Sequence, residues 1–148
     1  HFTKLAFAKT MKDMSSQIYQ IPRDFFDDRE KKDTIIKSLN KTPRDILIEF
    51  SAKMRAKDPY FFIKQVAKFV EKGKNYAISD CRFFAEIEYF KKEFPDETIS
   101  IWIERKVENV PDNLELTSKD CDFVIHNDKT PFDGNYLWNQ LQKKLNFS

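Results

Sequence analysis

With 148 residues, 26 of them basic and 24 acidic, the chain is long enough for one domain with a real core, and its net charge of +2 excludes a dedicated polyanion-binding surface. Two cysteines, Cys81 and Cys121, are too few for a disulfide framework, and no apolar run approaches the roughly 18 residues of a membrane span. Gly73 and Gly134 are the only glycines, which excludes a Gly-rich phosphate cradle from these residues, and a reducing, cytoplasmic setting is expected.

Phe2–Ala8 alternates loosely enough for a short strand, with Phe2–Ala6 as its sheet-forming part, and Lys9–Gln20 then puts Met11, Met14 and Ile18 on one helical face. Pro22 to Phe26 reads as one helical turn. The run Asp27-Asp28-Arg29-Glu30-Lys31-Lys32 reads as a solvated loop, and Asp33–Lys41, with little pattern, as a mobile surface segment. Thr42-Pro43-Arg44-Asp45 has the marks of a helix start: a capping hydroxyl, proline at the first position and an acid near the positive end of the helix. Ile46, Leu47, Phe50 and Met54 form its inward stripe. Asp58-Pro59 repeats the start signal, and Phe62, Val66, Phe69 and Val70 line a second helix that Gly73 ends. At helical spacing, these aromatic residues predict core packing rather than a platform for stacking bases.

Asn75–Phe83 is the stretch on which the rest turns. It reads as a buried strand that runs into Asp80 and Arg82 just before a helix, and ligands of open α/β sheets bind outside the carboxyl ends of strands. An acid there holds a metal or caps a helix; an arginine clamps a phosphate or stays solvated. Phe83–Phe94 predicts a helix with Ile87, Phe90 and Phe94 inward, stopped by Pro95. Thr98–Glu104 alternates as a strand and ends in Arg105; Lys106–Lys119 reads as a polar loop; Asp122–His126 is a strand ending in Asn127 and Asp128. Gly134–Phe147 closes as an amphipathic helix through Leu137, Leu141 and Leu145. There is no internal repeat. Strands that alternate with helices predict one parallel sheet, in three layers, with helices on both faces.

In such a sheet Asp80, Arg82, Arg105, Asn127, Asp128 and the helix-start Arg44 gather at one end. Arginines around an acid suit phosphoryl transfer, which depends on positioning and on neutralising charge on oxygens. Metal–thiolate chemistry is excluded by spacing, since Cys81 and Cys121 lack a second pair and His1 and His126 lie far apart in sequence. Ser79 lacks the flanking glycines of a nucleophile elbow. Cys81, beside Arg82, is expected to be a packed free thiol.

Pro22–Lys32, then Thr42-Pro43-Arg44, Asp58-Pro59-Tyr60-Phe61-Phe62, Ser79-Asp80-Cys81-Arg82-Phe83 with Glu86, and Asp122–Asp128 together resemble the deoxynucleoside monophosphate kinases of bacteriophages. The order and spacing agree across most of the chain. Asp58–Phe62 and Ser79–Arg82 are similar as well to animal-type phosphomevalonate kinase, a related fold with a different acceptor.

The resemblance implies a P-loop-type fold, 1–148 as one kinase-like domain, and transfer of the γ-phosphoryl group of ATP, with magnesium, to a deoxynucleoside monophosphate. It places Arg29, Lys32, Arg44 and Glu86 at the acceptor, within a helical region spanning about residues 22–72. Arg82 and Arg105 fall at the reacting groups, Asp80 near magnesium or the acceptor, and Arg105 with Asn127 and Asp128 at the donor nucleotide. Residues 105–119 would form a lid, with Glu115 where the family often carries a motif containing a histidine and an acid. The implied partners are small-molecule nucleotides, neither nucleic acid nor membrane, with a homodimer left open. Family members begin with a strand, a Gly-rich P-loop and a helix, whereas this sequence starts at His1, so an N-terminally incomplete kinase that is inactive alone is expected. A kinase-derived binding or regulatory module and a phosphomevalonate kinase-like enzyme are the alternatives.

Overall fold

The computed structural model describes residues 1–105, 115–128 and 133–145. Among them are four strands and five α-helices: β1 (Thr3–Leu5), α1 (Phe7–Tyr19), α2 (Pro43–Lys57), α3 (Phe61–Ala67), β2 (Tyr76–Ile78), α4 (Phe84–Glu93), β3 (Ile101–Glu104), β4 (Phe123–His126) and α5 (Gly134–Leu145). All four strands fall within the expected stretches and pair in parallel. They form two two-stranded ladders, β1–β2 and β3–β4, where a single sheet was expected. The chain divides into two compact units, His1–Cys81 and Arg82–Ser148.

In the first unit β1 runs beside β2 with Leu5 opposite Ile78, and α1 packs on α2 and α3. The core consists of Phe7, Met11, Ile21, Phe26, Ile46, Phe50, Phe62, Ile63 and Val66. Phe50 joins the helices: its ring meets Tyr19 edge-on at 6.5 Å and Phe62 at 5.9 Å, a geometry that adds about 0.5–1.5 kcal/mol per pair beyond burial. The buried row of α1 is Phe7, Met11 and Ser15, not the expected Met11, Met14 and Ile18; Ile18 is 58% exposed. The helix starts two residues before the expected Lys9, so Phe7 anchors a row of i, i+4, i+8 positions that passes Ile18 by.

Helix α2 begins as expected. Thr42 Oγ1 accepts the Asp45 N–H, the Asp45 carboxylate accepts the Thr42 N–H in return, and Pro43 is the first helical residue. Helix α3 ends at Ala67, not at Gly73. Tighter bonds from Phe69 N to Val66 O and from Val70 N to Ala67 O follow, and they turn Phe69 out of the buried row to 62% exposure. Gly73 instead takes a φ of +79° in the turn before β2.

In the second unit, β3 and β4 pair from Ile101 opposite Phe123 to Glu104 opposite His126. Strand β3 is shorter than expected, with Ile99 and Ile103 exposed. Ile87, Phe90, Leu116 and Ile125 are the buried apolar residues of this unit among those described. Phe94, the expected inward residue at the end of α4, is half-buried and stacks on Phe90 at 5.9 Å. Thr98 Oγ1 donates to the Phe90 and Phe94 carbonyls and closes the carboxyl end of α4. The Asp122 carboxylate fixes the approach to the ladder by accepting from Ser100 N, Ser100 Oγ and Lys91 Nζ. Helix α5 packs on β4.

Candidate functional site

Parallel register decides what Asp80 does. With Leu5 opposite Ile78, Phe7 and Asp80 each lie two residues beyond the last pair, and Asp80 therefore reaches the start of α1. That helix has alanine at its N-cap, makes no side-chain cap of its own and has no acid in its first turn. Asp80 supplies what is missing: Oδ1 accepts the Phe7 N–H at 3.0 Å and Oδ2 the Ala8 N–H at 2.8 Å. The sequence left open whether Asp80 holds a metal or caps the following helix, but the helix it caps is the one 72 residues earlier in the chain. Both oxygens are committed to backbone donors, and no group of three potential metal ligands occurs among the described residues.

Between Pro22 and Asp45 the first unit carries a lattice of charges. Arg23 bridges Asp13 at 2.6 Å and Asp27 at 2.5 Å, Lys12 also meets Asp27, and Lys31 pairs with Asp24. The run expected as a solvated loop is exposed, and a 3₁₀ turn, Lys31–Asp33, packs its end against α2. There the Arg44 guanidinium is gripped in two-pronged fashion by Asp33, Nε to Oδ1 at 2.6 Å and Nη2 to Oδ2 at 3.2 Å. The hydrogen bond from Arg44 holds the Asp33 carboxyl below the usual carboxylate range, and the same bond raises Arg44. Arg29 and Lys32 make no ion pair among the described residues, and Arg29 is exposed.

The second unit brings together another part of the expected set. The β3–β4 register sets Arg105 beside Asn127 at the carboxyl ends of the strands, where Asn127 N donates to the Glu104 carbonyl at 2.7 Å. Asp128 accepts from the Tyr136 hydroxyl and raises its pKa, mainly through that bond. Around these residues sequence reasoning missed a fixed histidine: His126 Nδ1 meets Glu104 Oε2 at 2.8 Å, while the Gln140 side chain grips the His126 backbone, accepting its N–H and donating to its carbonyl. Only the pairing of Glu104 with His126 brings these residues together, and no spacing announces it.

Glu86 is buried and tied to its own helix, its carboxylate accepting the Arg82 and Phe83 N–H groups at 2.7 and 3.0 Å. Glu115 accepts the Phe84 N–H, so the start of α4 uses two acids that the resemblance set at the acceptor and in the lid. The rest of the expected lid, 106–114, lies outside the described residues. Arg82 and Arg105 are exposed and make no ion pair among the described residues. Cys81 is exposed, not packed, whereas burial pushes the half-buried Cys121 thiol up, with Asp120 and Asp122 adding to it. Arg55 was also missed: it lies one turn beyond the buried Ser51, with its guanidinium 5.7 Å above the Phe62 ring and 3.7 Å from Met11 Sδ.

Comparison with known proteins finds no protein-family model that matches the chain and no curated protein that matches it.

Proposed function

We propose that this protein is an ATP-dependent kinase of P-loop type that phosphorylates a deoxynucleoside monophosphate to the diphosphate, with Arg29, Lys32 and Arg44 on its acceptor side. The observation that carries this reading is the Arg44 fork. It stands in the first turn of a well-capped 15-residue helix and holds a carboxylate by two parallel bonds, the geometry with which arginine takes a phosphate. Arg29 and Lys32, on the segment that leads to it, make no ion pair among the described residues, although the Lys32 charge also acts on Asp33. The ordered likeness of Pro22–Lys32, Thr42–Arg44, Asp58–Phe62 and Ser79–Phe83 to the phage kinases gives the substrate class, and the parallel strands support the fold.

On this reading, Arg44, Arg29 and Lys32 neutralise the acceptor phosphate and aim one of its oxygens at the γ-phosphorus of ATP, delivered as its magnesium complex. A new P–O bond forms there as the bond to the ADP oxygen breaks. The likeness to the phage kinases assigns to Arg82 and Arg105 the charge on the transferred group and the leaving oxygens. The same likeness assigns the donor nucleotide to Asn127 and Asp128. Asp80 acts through position alone, fixing the start of α1 against β2. The donor's β and γ phosphates call for a Gly-rich turn, which neither Gly73, in the turn before β2, nor Gly134, the first residue of α5, provides.

Arg44→Ala tests the assignment. A lost charged two-pronged contact is worth roughly 1.5–3 kcal/mol, so the dissociation constant for the monophosphate should rise about tenfold or more while that for ATP stays the same. An effect confined to ATP would contradict the assignment.

A further inference from the structure

We infer that Asp33 is an internal competitor for the acceptor phosphate, a carboxylate that occupies the Arg44 fork and must leave before a monophosphate binds. The inference rests on the reading of Arg44 given above and adds a residue to which that reading gives no role. Asp33 uses the Nε–Nη2 edge of the guanidinium, with one oxygen on each nitrogen, which is the edge that two phosphate oxygens would take. The two ligands exclude each other there.

The contact is built to be released. Asp33 ends a 3₁₀ turn whose frame is made elsewhere: Lys32 N bonds to Asp28 O, Thr34 N to Lys31 O and Thr34 Oγ1 to Glu30 O. The Asp28 carboxylate braces the same turn through the Glu30 and Lys31 N–H groups. None of these bonds passes through the Asp33 side chain, so the carboxylate can swing away by rotation about its own bonds. Arg44 is equally independent, because the Thr42–Asp45 capping box holds the start of α2. Both side chains are 52% exposed, and a pair this open to water binds weakly. A phosphomonoester dianion, with Arg29 and Lys32 on the adjoining segment, outcompetes one carboxylate.

A competitor of this kind lowers the apparent affinity by the fraction of time it spends in place. Asp33→Asn removes the charge at constant size, and the four deoxynucleoside 5′-monophosphates, titrated calorimetrically into both proteins, read the result. The tightest of them should bind Asp33→Asn about two- to fivefold more tightly, the range set by an exposed ion pair. In the Arg44→Ala background the gain should vanish, since there is no fork left to compete for. Weaker or unchanged binding by Asp33→Asn, with Arg44→Ala still impaired, overturns the inference and leaves the Arg44 reading intact. A gain that persists in the Arg44→Ala background also overturns it, by showing a general effect of charge. If Arg44→Ala binds as the parent does, or no monophosphate binds any of these proteins, the inference falls together with the reading on which it rests.

Discussion

Asp80 illustrates how far a residue's role depends on a neighbour that the local sequence does not announce. Its position after a strand could be read directly from Tyr76-Ala77-Ile78, because an apolar run followed by an acid and an arginine is a local signal. Its use could not, because the amides it accepts belong to Phe7 and Ala8, and only the Leu5–Ile78 pairing brings them within reach. That Ala6, which has no capping side chain, would precede α1 was not visible either, because the helix was expected from Lys9. Loss of a helix cap costs typically about 1 kcal/mol, and more where two orphaned amides are involved. Asp80→Ala should therefore lower the unfolding free energy by about 1–2 kcal/mol in urea denaturation, with Asp80→Asn, which keeps one acceptor, losing less. An Asp80→Ala protein as stable as the parent would show that the carboxylate does not hold the helix.

At the scale of elements, legibility followed the strength of the local signal. Thr42-Pro43-Arg44-Asp45 predicted the start of α2 to the residue, because hydroxyl, proline and acid each satisfy a definite need of a helix end. Helix ends set by tertiary packing were not legible: α1 starts earlier to bury Phe7, and α3 stops at Ala67 and leaves Phe69 outside. The ion pairs around the 3₁₀ turns were equally hidden, since Arg44 finds Asp33 rather than its neighbour Asp45 or Asp24. Together with the Thr42–Asp45 cap and the Asp58–Lys64 pair they have a collective signature. Asp27 is lowered chiefly by Lys12, Asp33 by Arg44, Asp45 by Thr42 and Asp58 by Lys64. Each of these acids gives up its proton more readily in the folded chain than in the unfolded one, where the usual value is about 3.9. Their contribution is thus complete above that value and disappears as the pH falls through the depressed ones. The urea midpoint should drop as the pH passes below about 4 and keep dropping beneath it, less steeply in high salt. A midpoint that holds down to pH 2 would mean that the charge lattice adds nothing to stability.

For the molecule as a whole, strands, helices and parallel pairing were legible because hydrophobic period separates the two kinds of element and long crossovers enforce parallel direction. The division of the pairing into two ladders was not, since nothing in Tyr76–Ile78 or Ile101–Glu104 states which strand lies at its other edge. Nor was the use of the acids, since Asp80 in the first unit and Glu86 and Glu115 in the second serve helix starts, while in the first unit Arg44 is held by Asp33 and Arg29 and Lys32 have no ion pair among the described residues. The proposed reading rests on the Arg44 fork, with Arg29 and Lys32 on the segment that leads to it. The direct measurement is calorimetric titration of the His1–Ser148 chain with each deoxynucleoside 5′-monophosphate, the corresponding deoxynucleosides and phosphomevalonate. The account predicts that at least one monophosphate binds, that its deoxynucleoside does not, and that phosphomevalonate is the weaker ligand. Equal binding of a monophosphate and its deoxynucleoside, or no binding by any monophosphate, would contradict it.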